Sequence, residues 1–342
     1  MAQKNEATFS NKYWNDGKRP FITIITPVYN RRATIQRTIN SVEAQKIRNF
    51  EYIIIDDGST EPIDDIVKEF IEKTKIPVSF VKKKNGGVHT ARNLGYKLAR
   101  GEMVLCIDSD DELLPNATKV FYEAWNEIPK KDRKDYWQIK AQCVDQNGRQ
   151  TAEAFPEDIN RMPIALARKY FSLAGGEQIG CRVTKIMKKN LFPEPEGVTF
   201  VREGVRWVPL ENKYRSWGVN EAVRIYHLDS EGHLSGKGEN DKKRKRTQQD
   251  IRNNLWNSCD ILNNARMYNC GLRRQAKEVV KYCTFSHILK WKHDSDFVSR
   301  CILKGLRNKF MLMLFWLPSY FVARKYMKDK MTVATGALKS IA

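Results

Sequence analysis

Alternating strand and helix signals over the first 115 residues predict an α/β fold, a mostly parallel central sheet with helices on both faces. Two further observations support it. The apolar run Met103-Val-Leu-Cys-Ile107 drives straight into the acids Asp108-Ser109-Asp110-Asp111-Glu112, the pattern of a buried strand opening at a ligand edge. From about residue 116 the rhythm changes, and the chain ends in a basic region with helical character.

The elements follow in order. Residues 1–20 read as an N-terminal extension. Phe21-Ile-Thr-Ile-Ile25 is a short β-branched run, and Ile35, Ile39 and Val42 then share one helical face. Tyr52-Ile-Ile-Ile55 is the second strand, and Ile63, Ile66, Val67, Phe70 and Ile71 mark the second helix. Pro77–Val81 is the third strand, with a helical stripe at Ala91, Leu94, Leu98 and Ala99. Met103–Ile107 is the fourth strand, and Ala117, Val120, Phe121, Ala124 and Trp125 open the next helix. Trp137–Gln150 reads as a hairpin about the turn dipeptide Asn147-Gly148. Further helix and strand run to about His227, interrupted by the proline-rich stretch Phe192–Glu196, within an acceptor-side region that extends to about residue 235. Residues 236–250 form a basic linker around Lys242-Lys-Arg-Lys-Arg246, and residues 251–342 are helical and basic.

Charge is unevenly spread. The chain carries a net +20 over 342 residues, while residues 236–342 hold 23 Lys/Arg against 8 Asp/Glu, a net of +15. Such a tail suits anionic lipid or nucleic acid. No base-reading or stacking module accompanies it, which argues against nucleic acid. Seven cysteines without a Cys-x-x-Cys pair argue against a disulfide framework and a zinc site. The first residues have no apolar signal region, and a reducing cytoplasm is expected. Phe310–Ala323 is the most hydrophobic stretch, 14 residues flanked by Lys304, Arg307 and Lys309 on one side and Arg324, Lys325 and Lys328 on the other. A spanning helix needs about 20 apolar residues, so an interfacial helix with Trp316 and Tyr320 at head-group level is expected; the alternative is a packed C-terminal helix.

Each early strand ends in a distinctive cluster. They are Thr26-Pro-Val-Tyr-Asn30, Asp56-Asp-Gly-Ser-Thr60, Asn85-Gly-Gly-Val-His-Thr-Ala-Arg-Asn-Leu-Gly95 and the acidic run. A parallel sheet brings all four to one edge. Together they offer an aromatic face, carboxylates, glycine amides, an arginine and an acid pair suited to a hard divalent cation, the parts a nucleotide diphosphate requires. Alone, the acidic run could equally be a turn capping the helix near Asn116.

The four clusters in this order resemble family 2 glycosyltransferases of the GT-A, Rossmann-like fold, firmly over residues 20–115 and more loosely to about 235. The resemblance implies a nucleotide-sugar half at 21–115 and an acceptor half at 116–235. It implies inverting transfer of a sugar from a nucleotide-diphosphate donor, typically a UDP-sugar, to a hydroxyl. On it, Pro27, Tyr29 and Asn30 line the base, Asp57 accepts a hydrogen bond from it, and Asp108 and Asp110 form the DxD element that holds Mn²⁺ or Mg²⁺. Asp56 is a structural acid, Gly86 and Gly87 serve the turn or the donor, and His89 is a loop residue. Arg92 lies near phosphate or in a structural salt bridge. Inversion needs a general base. The position matching the family's late acid is Glu203, with Gly204 where a second acid usually stands, and Glu194, Glu196 and Glu211 compete. His233, with Ser235 in the loop Gly232–Gly238, is a further metal ligand or an ordinary linker residue. The expected partners are a nucleotide-diphosphate sugar, a glycan or lipid-linked acceptor and an anionic membrane surface, on the inner face of the cell membrane. The competing function is a catalytically silent nucleotide-sugar binder or membrane scaffold.

Overall fold

The structure is a computed structural model that describes residues 7–15, 17, 19–173, 175–227 and 246–331. The chain forms two compact units: Met1–Phe192 with Leu210–Glu231, and Pro193–Pro209 with Gly232–Ala342. The segment Pro193–Pro209 therefore groups with the C-terminal region, where the sequence suggested an unbroken stretch from 116 to 235.

The first unit is built on a nine-stranded sheet among the described residues. Its strands are β1 (Ala7–Ser10), β2 (Ile22–Val28), β3 (Phe50–Asp56), β4 (Val78–Lys82), β5 (Met103–Cys106), β6 (Glu112–Leu113), β7 (Tyr136–Asp145), β8 (Gln178–Val183) and β9 (Arg215–Tyr226). Their order is β1-β4-β3-β2-β5-β8-β7-β9-β6. Strands β4, β3, β2 and β5 are mutually parallel. β1, β8 and β6 join antiparallel to β4, β5 and β9, and β7 lies between antiparallel β8 and parallel β9.

The helices of this half are α1 (Ile35–Glu43), α2 (Asp64–Lys73), α3 (Val88–Leu98) and α4 (Ala117–Glu127). All seven residues of β2 are buried, as are those of β3. Side chains alternate across a strand. Ile22, Ile24 and Val28 join the apolar cluster containing Ile35, Ile39 and Val42 of α1 and Val67 of α2. Ile25 faces the other way, onto α3, where a Cβ on Gly95 would lie 2.6 Å from its Cγ2. The helix can approach β2 this closely only because position 95 is glycine. Both faces of the sheet are thus covered.

The predicted hairpin is reduced to its turn. Gly148 adopts φ +77°, and Asp145 accepts the amides of Asn147 at 2.8 Å and Arg149 at 2.9 Å. The return limb forms a single bridge, Val144 with Gln150, flanked by the Asp145 amide donating to the Arg149 carbonyl at 2.8 Å and the Thr151 amide to the Cys143 carbonyl at 3.0 Å. β7 spends its backbone on β8 and β9 instead.

In the second unit the described C-terminal helices are Gln248–Asn263, Leu272–Trp291, Ser295–Arg300 and Leu306–Lys330. The first opens on a capping box between Thr247 and Asp250. Trp316 and Tyr320 do not project outward as the sequence suggested. Trp316 packs on His287 with ring centroids 4.1 Å apart, and Tyr320 meets Trp291 edge-on at 5.2 Å. Aromatic contact with the helix Leu272–Trp291 fixes this face. No described helix is long and apolar enough to cross a membrane.

Candidate active site

The chain runs β2, β3, β4 outward to one side, then returns to place β5 on the other side of β2. The strand order therefore reverses between β2 and β5, and open α/β sheets bind ligands at the carboxyl ends beside such a reversal. β2 ends at Val28 and β5 at Cys106, so Tyr29-Asn30 and Asp108–Asp111 flank this point.

Four joints tie the predicted clusters together. Asn30, in left-handed backbone at φ +51°, donates its amide to Ser59 Oγ at 3.0 Å and accepts from the Thr60 amide at 2.8 Å. Asp57 Oδ1 accepts the Gly86 amide at 3.0 Å, and Oδ2 accepts that of Gly87 at 2.8 Å. Arg92 Nη2 donates to Asp108 Oδ1 at 3.0 Å. Arg31 Nε stands 3.5 Å from Asp110 Oδ2. First cluster meets second, second meets third, third meets fourth, and the fourth meets Arg31, the residue that follows the first: the ring closes.

Local chemistry sets each joint. Asn tolerates left-handed backbone better than most residues, because its short amide bonds locally. Gly58 has φ +75°, and a Cβ there would lie 2.7 Å from the Asn85 backbone nitrogen, so the second cluster can meet the third only through glycine. Asp56 is buried and accepts the Ser59 amide at 2.9 Å, the structural role expected of it.

Asp57 is 2% exposed and is held chiefly by a residue the sequence did not single out. Lys83, equally buried, donates Nζ to Asp57 Oδ1 at 2.5 Å and to Thr90 Oγ1 at 2.8 Å. Burial raises the Asp57 carboxyl above its ordinary range, against the pull of Lys83 and the amides of Gly86 and Gly87. Much of its acceptor capacity is already engaged, so its structural task is to hold the loop 85–87. Tyr29 is 47% exposed beyond the strand end, whereas Pro27 is buried in β2 opposite Ile55.

The acidic run separates by direction. Asp108 is paired with Arg92, and Asp110 with Arg31, while Arg37 donates Nε to the Asp110 carbonyl at 3.1 Å. Asp111 is fully buried, accepts the His227 amide at 3.1 Å and stands 3.5 Å from Arg224 Nη1. Burial, opposed by Arg224 and reinforced by Asp108 and Asp110, pushes Asp111 up to about 7.

Asp108 and Asp110 fit a hard divalent cation by donor chemistry. Both are carboxylates one residue apart, and the ion pairs described above engage one oxygen of each. Among the described residues no group of three His, Cys, Asp or Glu converges as a closed metal cage. His233 and Ser235 lie outside the described residues.

Glu203 belongs to the second unit and is exposed, just before the helix Gly204–Lys213. It accepts the Trp207 indole Nε1 at 3.0 Å. Of its competitors, Glu196 pairs with Arg300 at 2.8 Å, Glu211 lies 3.5 Å from Lys140, and Glu194 is exposed. Buried Asn93, also missed, clasps the backbone of Phe192 through bonds of 2.9 and 2.8 Å, anchoring the start of the proline-rich stretch. Its signal was its place inside the third motif, beside Arg92. For Lys83 there was none, since three consecutive lysines read as solvated.

The model of glycosyl transferase family 2 matches residues 23–193, half of the chain. The chain belongs to this family. An uncharacterized glycosyltransferase of Rickettsia bellii is 30% identical to this family 2 chain over 214 residues, 59% of this chain and 28% of that protein. The GalNAc(5)-diNAcBac-PP-undecaprenol beta-1,3-glucosyltransferase of Campylobacter jejuni is 24% identical over 213 residues, 61% of this chain and 65% of that protein. The chain spans about a third of the length of the Rickettsia bellii and Rickettsia conorii relatives, at 28% and 34%. S. aureus TarS 1-349, crystallised with UDP-GlcNAc, superposes with a TM-score of 0.51 at 18% identity, over 90% of this chain and 92% of that one. That likeness shows the fold, the GT-A arrangement that the motifs implied.

Proposed function

We propose that this family 2 chain transfers a sugar from a nucleotide-diphosphate donor to a hydroxyl acceptor, with inversion at the anomeric carbon. The observation that carries the reading is the closed ring of contacts at the strand reversal. It assembles an exposed aromatic, a loop of glycine amides and two arginine-paired carboxylates, half-buried Asp108 and largely buried Asp110, at one edge. A UDP-sugar is the donor of choice, in keeping with the UDP-GlcNAc held by TarS. The acceptor is a glycan on a lipid carrier, following the PP-undecaprenol in the name of the Campylobacter jejuni relative. Such an acceptor places the work peripherally on the inner face of the cell membrane, in polysaccharide or glycolipid assembly.

We assign the roles by the motifs. Tyr29 stacks on the base, Asp57 holds the loop 85–87 beside it, and Asn30 fixes the strand-end turn. Asp108 and Asp110 are the residues that would hold Mn²⁺ or Mg²⁺. When bound, the ion offsets the charge of the departing nucleoside diphosphate. Arg92 and Arg31 keep the two carboxylates oriented and lie within reach of phosphate. Glu203 takes the proton of the acceptor hydroxyl.

The test is donor hydrolysis over UDP-, GDP- and dTDP-sugars with Mn²⁺ and with Mg²⁺, on wild type and Asp110→Ala. Hydrolysis of one donor class, dependent on the ion and lost in the variant, is expected. Full turnover by Asp110→Ala would remove the metal assignment.

A further inference from the structure

The helix Leu306–Lys330 presents a continuous apolar face that no described residue covers. Leu306, Phe310, Met313, Leu314, Leu317 and Phe321 are all exposed, from 53% at Leu314 to 86% at Leu306. At 3.6 residues per turn these positions fall within an arc of about 100°, and at 1.5 Å per residue they form a band of about 22 Å. The opposite side is already occupied: Ser319 and Ala323 are buried, and Trp316, Tyr320 and Tyr326 pack on Leu272–Trp291. The band is therefore a second face, free of any role in packing this unit.

Its ends are cationic. Arg307 and Lys309 are exposed at one end, and Arg324, Lys325 and Lys328 at the other, with Asp329 the single acid of the helix. Arg324 and Lys328 continue the arc of the apolar residues one turn further along. We infer that this face lies in the plane of an anionic lipid bilayer, with the apolar band in the acyl boundary and both basic ends among the head groups.

Charge selects this occupant over a second copy of the chain. Parallel or antiparallel pairing of two such helices sets cations against cations at both ends of the band, whereas an anionic lipid surface complements both ends. The band is also shorter than the ~30 Å hydrocarbon core and is bounded by charge, so it lies along the surface and does not cross it. The inference goes beyond the transferase reading. Vesicle binding requires no turnover, so either can fail without the other.

The experiment is co-sedimentation of the full chain with phosphatidylglycerol and with phosphatidylcholine vesicles, at low and high NaCl. Wild type should bind phosphatidylglycerol preferentially, and less at high salt. Leu317→Glu with Phe321→Glu should bind at least about tenfold more weakly. Lys325→Gln with Lys328→Gln should weaken binding to phosphatidylglycerol alone, and carries the test if circular dichroism shows the first variant unfolded. Attachment through the run Lys242–Arg246 alone would survive the glutamate variant and would overturn the inference. So would equal binding to both lipids, no binding, or a dimer in solution that the glutamate variant dissolves while vesicles capture nothing.

Discussion

Lys83→Met is the substitution that most directly probes how the strand-end clusters are held. Lys83 and Asp57 are 2.5 Å apart with both side chains 3% exposed, so water screens the pair very little. Removing one partner of a buried pair typically costs about 3–5 kcal/mol, because a charge is left without compensation. Here the amides of Gly86 and Gly87 still face Asp57, which places the expected loss near the lower end of that range at pH 8. The sign of the pH dependence is fixed by the carboxyl. Its folded pKa is raised by burial, so between the unfolded and folded values the native state binds more protons. Stability therefore falls as pH rises through that window. Without Lys83 the window extends upward, and the deficit of the variant should shrink on going from pH 8 to pH 5. Urea unfolding followed by tryptophan fluorescence at both pH values measures this, with an unchanged denaturant slope as the control. Asp57→Asn in the same background should recover part of the loss, since the amide oxygen still accepts from the loop. A loss below about 1 kcal/mol at pH 8, or one identical at both pH values, would refute the reasoning.

Glu203→Gln should lower turnover by about 10²–10⁴-fold while leaving the fold intact, because the amide oxygen can still accept from Trp207 Nε1. Steady-state transfer assays with circular dichroism as control decide it. Undiminished turnover would move the base elsewhere, and no turnover even in wild type would favour the silent-binder reading. Gly95→Ala should destabilise by about 1–3 kcal/mol, since its new methyl would overlap Ile25 across the contact between α3 and β2. Thermal unfolding reads this as a lowered midpoint, and an unchanged midpoint would mean that the contact is looser than described.

The parallel half of the sheet was legible because its strands are buried on both faces, which writes them as unbroken apolar runs between amphipathic stripes. The return half was legible only in part. The hairpin reading placed a strand where β7 lies, but β7 carries buried Gln138 and Gln142, which pair with Ser216 and Asn220 of β9. Those partners lie 78 residues away in sequence, beyond the reach of any local pattern. β6 is two residues long and is defined only by its pairing with Ile225 and Arg224, so no periodicity could have marked it. The turn at Asn147-Gly148 was legible because it is local, while the choice of partner for β7 was not, because it is made by the whole sheet.

The acidic run shows the same division within a single turn of chain. Asp108, Asp110 and Asp111 are chemically alike, and sequence can say only that an alternate pair suits a cation. Packing separates them. Asp111 turns inward, where Arg224 comes from β9, near the far end of the sheet order, and the His227 amide follows that strand. Its raised pKa is the electrostatic signature of that burial and disfavours the charged form that a cation needs. Asp108 stays half-buried and Asp110 keeps 8% exposure, each braced by an arginine, Arg92 and Arg31 respectively. The buried acid anchors the loop, and the anchored loop presents the other two. An Asp111→Asn variant that kept its fold would still offer the alternate pair, whereas loss of Asp108 or Asp110 removes half of it.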